Sequence, residues 1–474
     1  MRNAAVLGLM LLGVTPAFAG PAENRLLAAV KDGDQAGVKA ALAAHANVNA
    51  LLPDNSTVLA WAVDRQDAQS VKLLLAAGAQ PRALAKEGTR PLSLACELGN
   101  PAIAGDLLKA GANAKEVLAD GTTAFALCAG ASTPAVLATM AAKGADMTAA
   151  NMEGQTPLMW AAMAGNTDAI KWLIAHGAKV NAADKKGFTP IFFALRSKIA
   201  SAPMALLDAG ADVNAVVADG TTVVQAAITT HNIPFAIQAV THGADLHRAD
   251  KQGRQLIHLA AASGDAAFVK IVLEKGGDPN AVTDTSGAPA GRGGAVRVAA
   301  AAPPAAAAGA GGEDAAKAAA QAAARAAAAR ANFQPPAPST PLQFAARAGS
   351  AEAMKALVAA GAKPDEKTAD GMTVSMAAAG SGSVEAVAYA YEVDPHLDVI
   401  ARGGRSIMHI AVAASGTPDP IAVIQFLVDK GAPLAIEDAR HDSPGDMLSR
   451  GGDPVIREFY IKLLRDRGIV STNH

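Results

Sequence analysis

Only two cysteines occur in the 474 residues, Cys96 and Cys128. That is too few for a fold built on a framework of disulfides. Aromatic residues make up 4% of the chain although hydrophobic residues make up 51%. Much of the apolar content is alanine, which suits short, closely packed helices better than a large aromatic core. Charge of either sign is also lacking in excess: the formal net charge is -2. No strong field therefore favours nucleic acid or an anionic membrane. Beyond the N-terminal apolar run no stretch approaches the length of a charge-free membrane span.

The N-terminus reads as a targeting segment. Arg2 supplies a small positive region, Ala4 to Val14 an apolar run too short to cross a bilayer, and Ala17-Phe18-Ala19 an A-x-A cleavage signal. Residues 1–19 are expected to be removed after Ala19, and the chain from Gly20 to act outside the cytoplasm, in a periplasmic or extracellular compartment. No cysteine follows the apolar run, so no lipoprotein anchor is expected.

What is abundant is periodicity. Gly88, Gly121, Gly154, Gly187, Gly220 and Gly253 recur at one constant interval, with Asn55 and Ala22 in the same register upstream. Downstream, Pro338, Gly371 and Gly404 continue that interval. A second series keeps the same period at a fixed offset from the first: Gly78, Gly111, Gly144, Gly177, Gly210, Gly243, Gly276 and Gly361. A period of this length means stacked repeats that fold as an array, because one unit alone cannot bury its apolar faces.

The residues between the glycines suggest a helix pair in each unit. Thr156 is placed to cap a helix through its hydroxyl, and Pro157 suits the first helical position. Ala161 and Ala162 let neighbouring helices approach. Ile170, Leu173 and Ile174 share one helical face, and Gly177 suits a left-handed helix end. The segments Gly154-Gln155-Thr156-Pro157-Leu158-Met159-Trp160-Ala161-Ala162, Ala169 to Ile174 and Gly177-Ala178-Lys179-Val180-Asn181-Ala182 resemble the ankyrin repeat. The resemblance runs over residues 22 to about 286 and 338 to about 467. It implies an all-α repeat solenoid, an ankyrin-repeat array of about twelve helix-turn-helix units with short β-hairpin fingers.

Some units depart from the pattern. Pro203 falls inside a second helix, which is expected to start late or kink. Asp394-Pro395 replaces a closing Gly-Ala, and Thr417-Pro418-Asp419-Pro420 is an addition between two helices, which moves the next register position to His441. Arg25 to Leu42 and residues 454–467 read as the two caps. The array is thus expected over 20–286 and 338–474, interrupted by an Ala/Pro/Gly-rich insert at 287–337. Within the insert Glu313–Ala331 is mostly alanine, punctuated by Lys317, Arg325 and Arg330, and suits a solvated helix. The insert falls where a finger belongs, between the units from Gly253 and Pro338.

Candidate chemistry is sparse. The motifs of hydrolases, zinc proteases and phosphate loops do not occur, and no metal or cofactor is expected. His258 and His409 match the family's structural histidine, implied to hydrogen-bond between repeats. His176 and His242 precede loop glycines and are expected to be exposed. Cys96 and Cys128 lie in the first helices of adjacent units, one residue out of register. With stacked elements roughly 10 Å apart, beyond the span of a disulfide, they are expected to be buried free thiols. Trp61 and Trp160 share one first-helix position, and Trp172 an apolar second-helix position, so all three are expected in the core.

Surface remains. In arrays of this family the fingers and inner first-helix face bind partners. Carried onto this sequence, those places hold Lys185, Lys186, Phe188 and Arg196, then Asp219 and Thr221, then Lys251, Gln252 and Arg254. Lys185, Lys186, Phe188, Arg196, Lys251 and Arg254 are the candidate partner contacts, with Phe188 an apolar anchor among cations. The expected function is a non-catalytic scaffold for another protein, with no nucleic-acid partner and no membrane insertion after cleavage. The second class is an enzyme whose site is assembled across repeats or contributed by the insert. A deep pocket of convergent polar groups would mark it.

Overall fold

The computed structural model describes residues 20–83, 89–283 and 338–469. Within them lie 24 α-helices, which pair consecutively into twelve helix-turn-helix units, from Pro21–Asp32 with Gln35–Ala43 to Pro444–Ser449 with Pro454–Asp466. The chain forms two compact units, Met1–Phe235 and Ala236–His474. No described helix is long and apolar enough to cross a membrane. The expected signal segment and the helix over Glu313–Ala331 lie outside the described residues.

In most of the inner pairs the first helix is largely buried and the second buries one stripe. The helix Pro157–Ala164 buries Leu158, Met159, Ala161 and Ala162, and Thr167–Ala175 buries Ala169, Ile170 and Leu173. The described glycines of both series adopt the left-handed conformation, as at Gly154 (φ 83°) and Gly177 (φ 89°). The register holds where glycine is absent: Asn55 (φ 61°) and His441 (φ 62°) take the same conformation, as does His45 (φ 59°) in the second series. Helix Ser201–Asp208 begins late, with Pro203 in its first turn where no amide is needed. The extra residues before Pro420 supply a cap, Asp419, whose carboxylate accepts from the Ala422 N–H at 3.0 Å.

The fingers are slighter than the β-hairpins expected. The described residues show the isolated antiparallel bridges Val117↔Thr123, Val216↔Thr222 and Ala401↔Arg405 and a further bridge residue at Leu51. The tips described in full are turns closed by two main-chain bonds. The N–H of Asp184 donates to Phe188 O at 2.9 Å, and that of Gly187 back to Asp184 O at 3.0 Å. The turn's side chain takes over the ladder's role: one Asp184 oxygen accepts from both the Lys186 and Phe188 amides, at 2.9 and 2.8 Å. Adjacent tips then need one bond each, such as Met152 N–H to Asp120 O and Lys185 N–H to Glu153 O, both 3.0 Å.

Two local expectations are corrected. The Thr156 hydroxyl makes no capping bond and is buried without a partner, as is that of Thr189. In both helices the third amide bonds the threonine carbonyl instead, Met159 N to Thr156 O at 2.9 Å and Phe192 N to Thr189 O at 3.0 Å. Pro157 does sit in the first turn.

Cys96 and Cys128 are not free thiols: they form a disulfide, with Cα atoms 4.5 Å apart. The error lay in comparing the spacing of helix axes with the span between Cα atoms. Each Cα stands about 2.3 Å off its axis, so residues facing each other across an axis spacing of about 8–10 Å come within about 4–5 Å. Small side chains hold the helices close: Ala95 and Ala129 are buried beside the cysteines. In the next joint a Cβ on Gly130 would meet the Trp160 carbonyl oxygen at 3.4 Å.

The insert does not interrupt packing. In an ordinary finger, Val217 N–H donates to Thr221 O at 3.1 Å across a short tip. Thr283 N–H donates to Ser339 O, also at 3.1 Å, in the same register, and Ser339 N–H returns to Thr283 Oγ1 at 2.9 Å. Asn280 bridges onward as Asn49 and Asn181 do in their repeats, donating to Gly361 O at 2.9 Å and accepting from Lys363 N–H at 3.0 Å. The segment beginning at 284 therefore leaves and returns through the base of one finger.

Candidate functional site

The six sequence-predicted contacts fall in two places. Lys185, Lys186, Phe188 and Arg196 belong to the first compact unit, Lys251 and Arg254 to the second. Lys185 and Lys186 are exposed at a fingertip whose backbone is fixed by the Asp184 carboxylate and by the preceding finger. Lys186 Nζ lies 3.9 Å from Glu153, an exposed pair of little energetic weight. Arg196 is exposed at the end of helix Pro190–Arg196.

Phe188 does not stand alone among cations. It is half-buried and meets Phe192 edge to face, ring centroids 5.7 Å apart at 88°, with Phe193 at 6.2 Å. Three aromatic rings thus cluster where the finger joins the helix, and packing holds the Phe188 ring in place. Lys251 is exposed, whereas Arg254 is occupied. Its guanidinium binds Asp250 at 2.7 Å through Nη2 and 2.8 Å through Nε.

Trp61 and Trp160, expected in the core, are half-buried and belong to a row that ends beside this cluster. Trp61, Leu94, Leu127, Trp160 and Phe193 occupy one repeat position in successive units, and all five are half-buried. Met163, one turn further along its helix, is 43% exposed, and the fingertip residue Met152 62% exposed. The signal that could have found the row was the period itself: a large apolar residue recurring at a position that the buried alanine pair does not occupy. Trp61 is covered by Lys31, whose ammonium lies 3.9 Å from the ring centroid, and its indole N–H donates to Ser56 Oγ at 3.0 Å.

Electrostatically, the finger carboxylates serve the fold. Asp120 accepts from the Thr122 amide and hydroxyl, which hold its carboxyl below the usual range. Lys185, Arg196 and Lys198 form no ion pair among the described residues. Among the cations of this face, Lys186 alone has an ion-pair partner among the described residues. Elsewhere, an open groove lined by Glu352, Lys355, Glu385, Tyr389 and Glu392 separates two second helices, but Lys355 is already paired with Glu352 at 2.8 Å. No group of three or more His, Cys, Asp and Glu among the described residues is arranged to hold a metal. His258 and His409 are buried; His258 bonds Ala281 O at 3.0 Å in the loop that closes its own unit, and His409 bonds Asp442 O at 2.9 Å in the next unit.

The family model for ankyrin repeats (3 copies) matches residues 26–117, 124–217, 204–283 and 342–438. That is most of the chain, which belongs to the ankyrin-repeat family. No curated protein matches it. Ankyrin repeats typically bind other proteins, and a protein-interaction scaffold is the function class that the match indicates.

Proposed function

We propose that this chain is an exported, non-catalytic scaffold that holds another protein on the finger and first-helix side of its first compact unit. The carrying observation is the register-aligned row Trp61, Leu94, Leu127, Trp160 and Phe193, half-buried and flanked by Phe188 and the exposed Met163. Aromatic side chains supply large contact area at low cost in ordering, methionine adapts to the shape it meets, and central, desolvated side chains dominate interface energy. Lys185, Arg196 and Lys198 sit at the Phe193 end. The partner that fits is a protein with an apolar patch bordered by acidic residues. The cations speed its arrival, and the buried rings slow its departure. Lys251 is a separate candidate contact on the second unit, where Arg254 holds its own finger.

Two observations support export. The A-x-A signal ends at Ala19, and Gly20 N lies 2.9 Å from a Glu23 carboxylate oxygen, so a new α-ammonium there would meet a counter-ion. The Cys96–Cys128 disulfide also suits an oxidising compartment. N-terminal sequencing of the exported protein should begin at Gly20. Recovery of the uncut chain in the cytoplasm alone removes the reading.

The binding test is affinity capture from the exporting cell's periplasm and medium, followed by binding measurements on the captured protein. Phe188→Ala should weaken it by about 2 kcal/mol, mainly through faster dissociation. Lys185→Glu with Lys186→Glu should slow association at low salt. Parent-like binding by both variants places the contact surface elsewhere.

A further inference from the structure

The disulfide joins a specific weak joint. Cys96 lies in helix Pro91–Glu97 and Cys128 in Ala124–Ala131, the first helices of the third and fourth repeats. At the repeat position where His258, Gln343 and His409 tie their first helix to a main-chain carbonyl, the third repeat has Ser93. Ser93 is buried, and its hydroxyl makes no such bond. The Glu116 carboxyl is buried in the same joint beside the Ser93 hydroxyl, with Oε1 3.7 Å from Arg90 Nε. Other repeats without the tie, such as those with Met159 and Phe192, place buried apolar side chains there. The fourth repeat also lacks a left-handed helix end. Ser132 is extended (φ -125°) where Gly99 (71°) and Gly165 (72°) are left-handed.

We propose that the Cys96–Cys128 bond is a staple for this joint, closed by thiol–disulfide exchange before the third and fourth repeats dock and sealed afterwards. It rests on the export reading for its biological setting, since it makes full stability of the array conditional on an oxidising compartment. The order of events follows from burial: Cys96 is 1% and Cys128 0% exposed. Exchange needs a thiolate to attack a carrier disulfide, and a mixed disulfide to stand between the helices. Helices with Cα atoms 4.5 Å apart leave no room for that intermediate. The reaction consumes a carrier disulfide. One cysteine thiolate attacks it and expels one carrier thiol. The second displaces the other, so two S–H bonds are lost and one S–S bond forms. Two electrons and two protons pass to the carrier.

The test uses the full chain, unfolded and reduced, then refolded with either oxidised or reduced glutathione. After oxidative refolding, denatured protein should take up no alkylating reagent, and two equivalents once reduced. The thermal transition of this form should lie on the order of 5–10 °C above that of the reduced form, with amides of residues 91–142 exchanging more slowly. Under native conditions the bond should resist dithiothreitol at concentrations that open it in denaturant. The double variant Cys96→Ala, Cys128→Ala should melt as the reduced parent does. Two reactive thiols after oxidative refolding, equal melting of oxidised and reduced chains, or equally fast reduction in native and denatured protein each overturns the proposal. Failure of export would leave these refolding results unchanged, so the two readings fall separately.

Discussion

The imidazole of His258 bridges its own helix cap and the loop before the next finger. The Gln255 N–H donates to Nδ1 at 3.1 Å, and Nε2 stands 3.0 Å from the carbonyl oxygen of Ala281. Both nitrogens are satisfied only in the neutral ring protonated on Nε2. A second proton on Nδ1 would face an amide N–H in a buried site. Burial accordingly holds the pKa below its ordinary 6.5.

A depressed folded-state pKa on a base means that the unfolded chain binds the proton more tightly. Stability is intact above about pH 6.5 and is lost as pH falls below it, by at most about 1.4 kcal/mol per pH unit. His258→Gln should remove this share of the acid sensitivity. Gln343 fills the equivalent position and donates to Glu366 O at 3.0 Å, which shows that the amide reaches. Thermal unfolding by circular dichroism at pH 7 and pH 5 measures the effect. An unchanged pH slope in the variant would refute it.

Glu116 behaves oppositely. Burial pushes its carboxyl above the usual range, against the Ser93 hydroxyl and the Arg90 charge, which pull it down. The stabilising protonated form is complete below about pH 4.5 and is lost as pH rises through the folded-state value. At pH 7 the buried carboxylate is therefore a liability, and Glu116→Gln should raise the melting temperature by a few degrees. The gain should shrink on acidification towards pH 4.5. A lower melting temperature at pH 7 would mean that the Arg90 pair outweighs the burial.

Much of this fold was legible because the repeat fixes both backbone and register. Asn55 and His441 were placed by counting alone, and both adopt the left-handed turn of the glycines that they replace. Pro203 and the residues before Pro420 were legible as breaks, since proline constrains the backbone whatever surrounds it. What counting could not give was distance between repeats. The Cys96–Cys128 bond depends on how closely alanine-rich helices approach, and the missing Thr156 cap depends on which oxygen the Met159 amide reaches. The candidate surface was half legible. Lys185 and Arg196 stand exposed and the row of Trp61 and Trp160 follows the period, but the edge-to-face packing of Phe188 on Phe192 needed the three-dimensional arrangement.

The insert can be replaced by an ordinary fingertip. Thr283 and Ser339 already make the bond that closes one, at 3.1 Å. Substituting residues 284–338 with the tip Ala119-Asp120-Gly121 should leave the helical circular dichroism per folded residue unchanged. Shortening the connection through roughly four halvings of its length should add up to about 2.5 kcal/mol by lower closure entropy. Loss of the helical signal, or a fall in melting temperature, would show that the segment contributes to the fold.

Two fingertip glycines in adjacent repeats should respond unequally to a methyl group. Gly371 and Gly404 have the same left-handed backbone, φ 79° and 78°. Alanine in that conformation costs about 1–2 kcal/mol on its own. At Gly371 the new Cβ would meet Ala401 Cα at 3.4 Å, an ordinary contact. At Gly404 it would meet Ala439 N at 2.7 Å and Asp438 C at 2.8 Å, both backbone. The neighbouring finger has little freedom to yield, because the Ala439 N–H donates to Gly403 O at 2.8 Å and the Asp438 N–H to Asp442 O at 2.9 Å. Relief of the clash at Gly404 therefore breaks the bond that aligns the two fingers. That adds on the order of another 1–3 kcal/mol to the conformational strain. Gly404→Ala should lower the melting temperature at least twice as far as Gly371→Ala, with faster amide exchange at Ala439 in the first variant only. Equal shifts would mean that conformation alone, and not the contact between fingers, sets the preference for glycine at these tips.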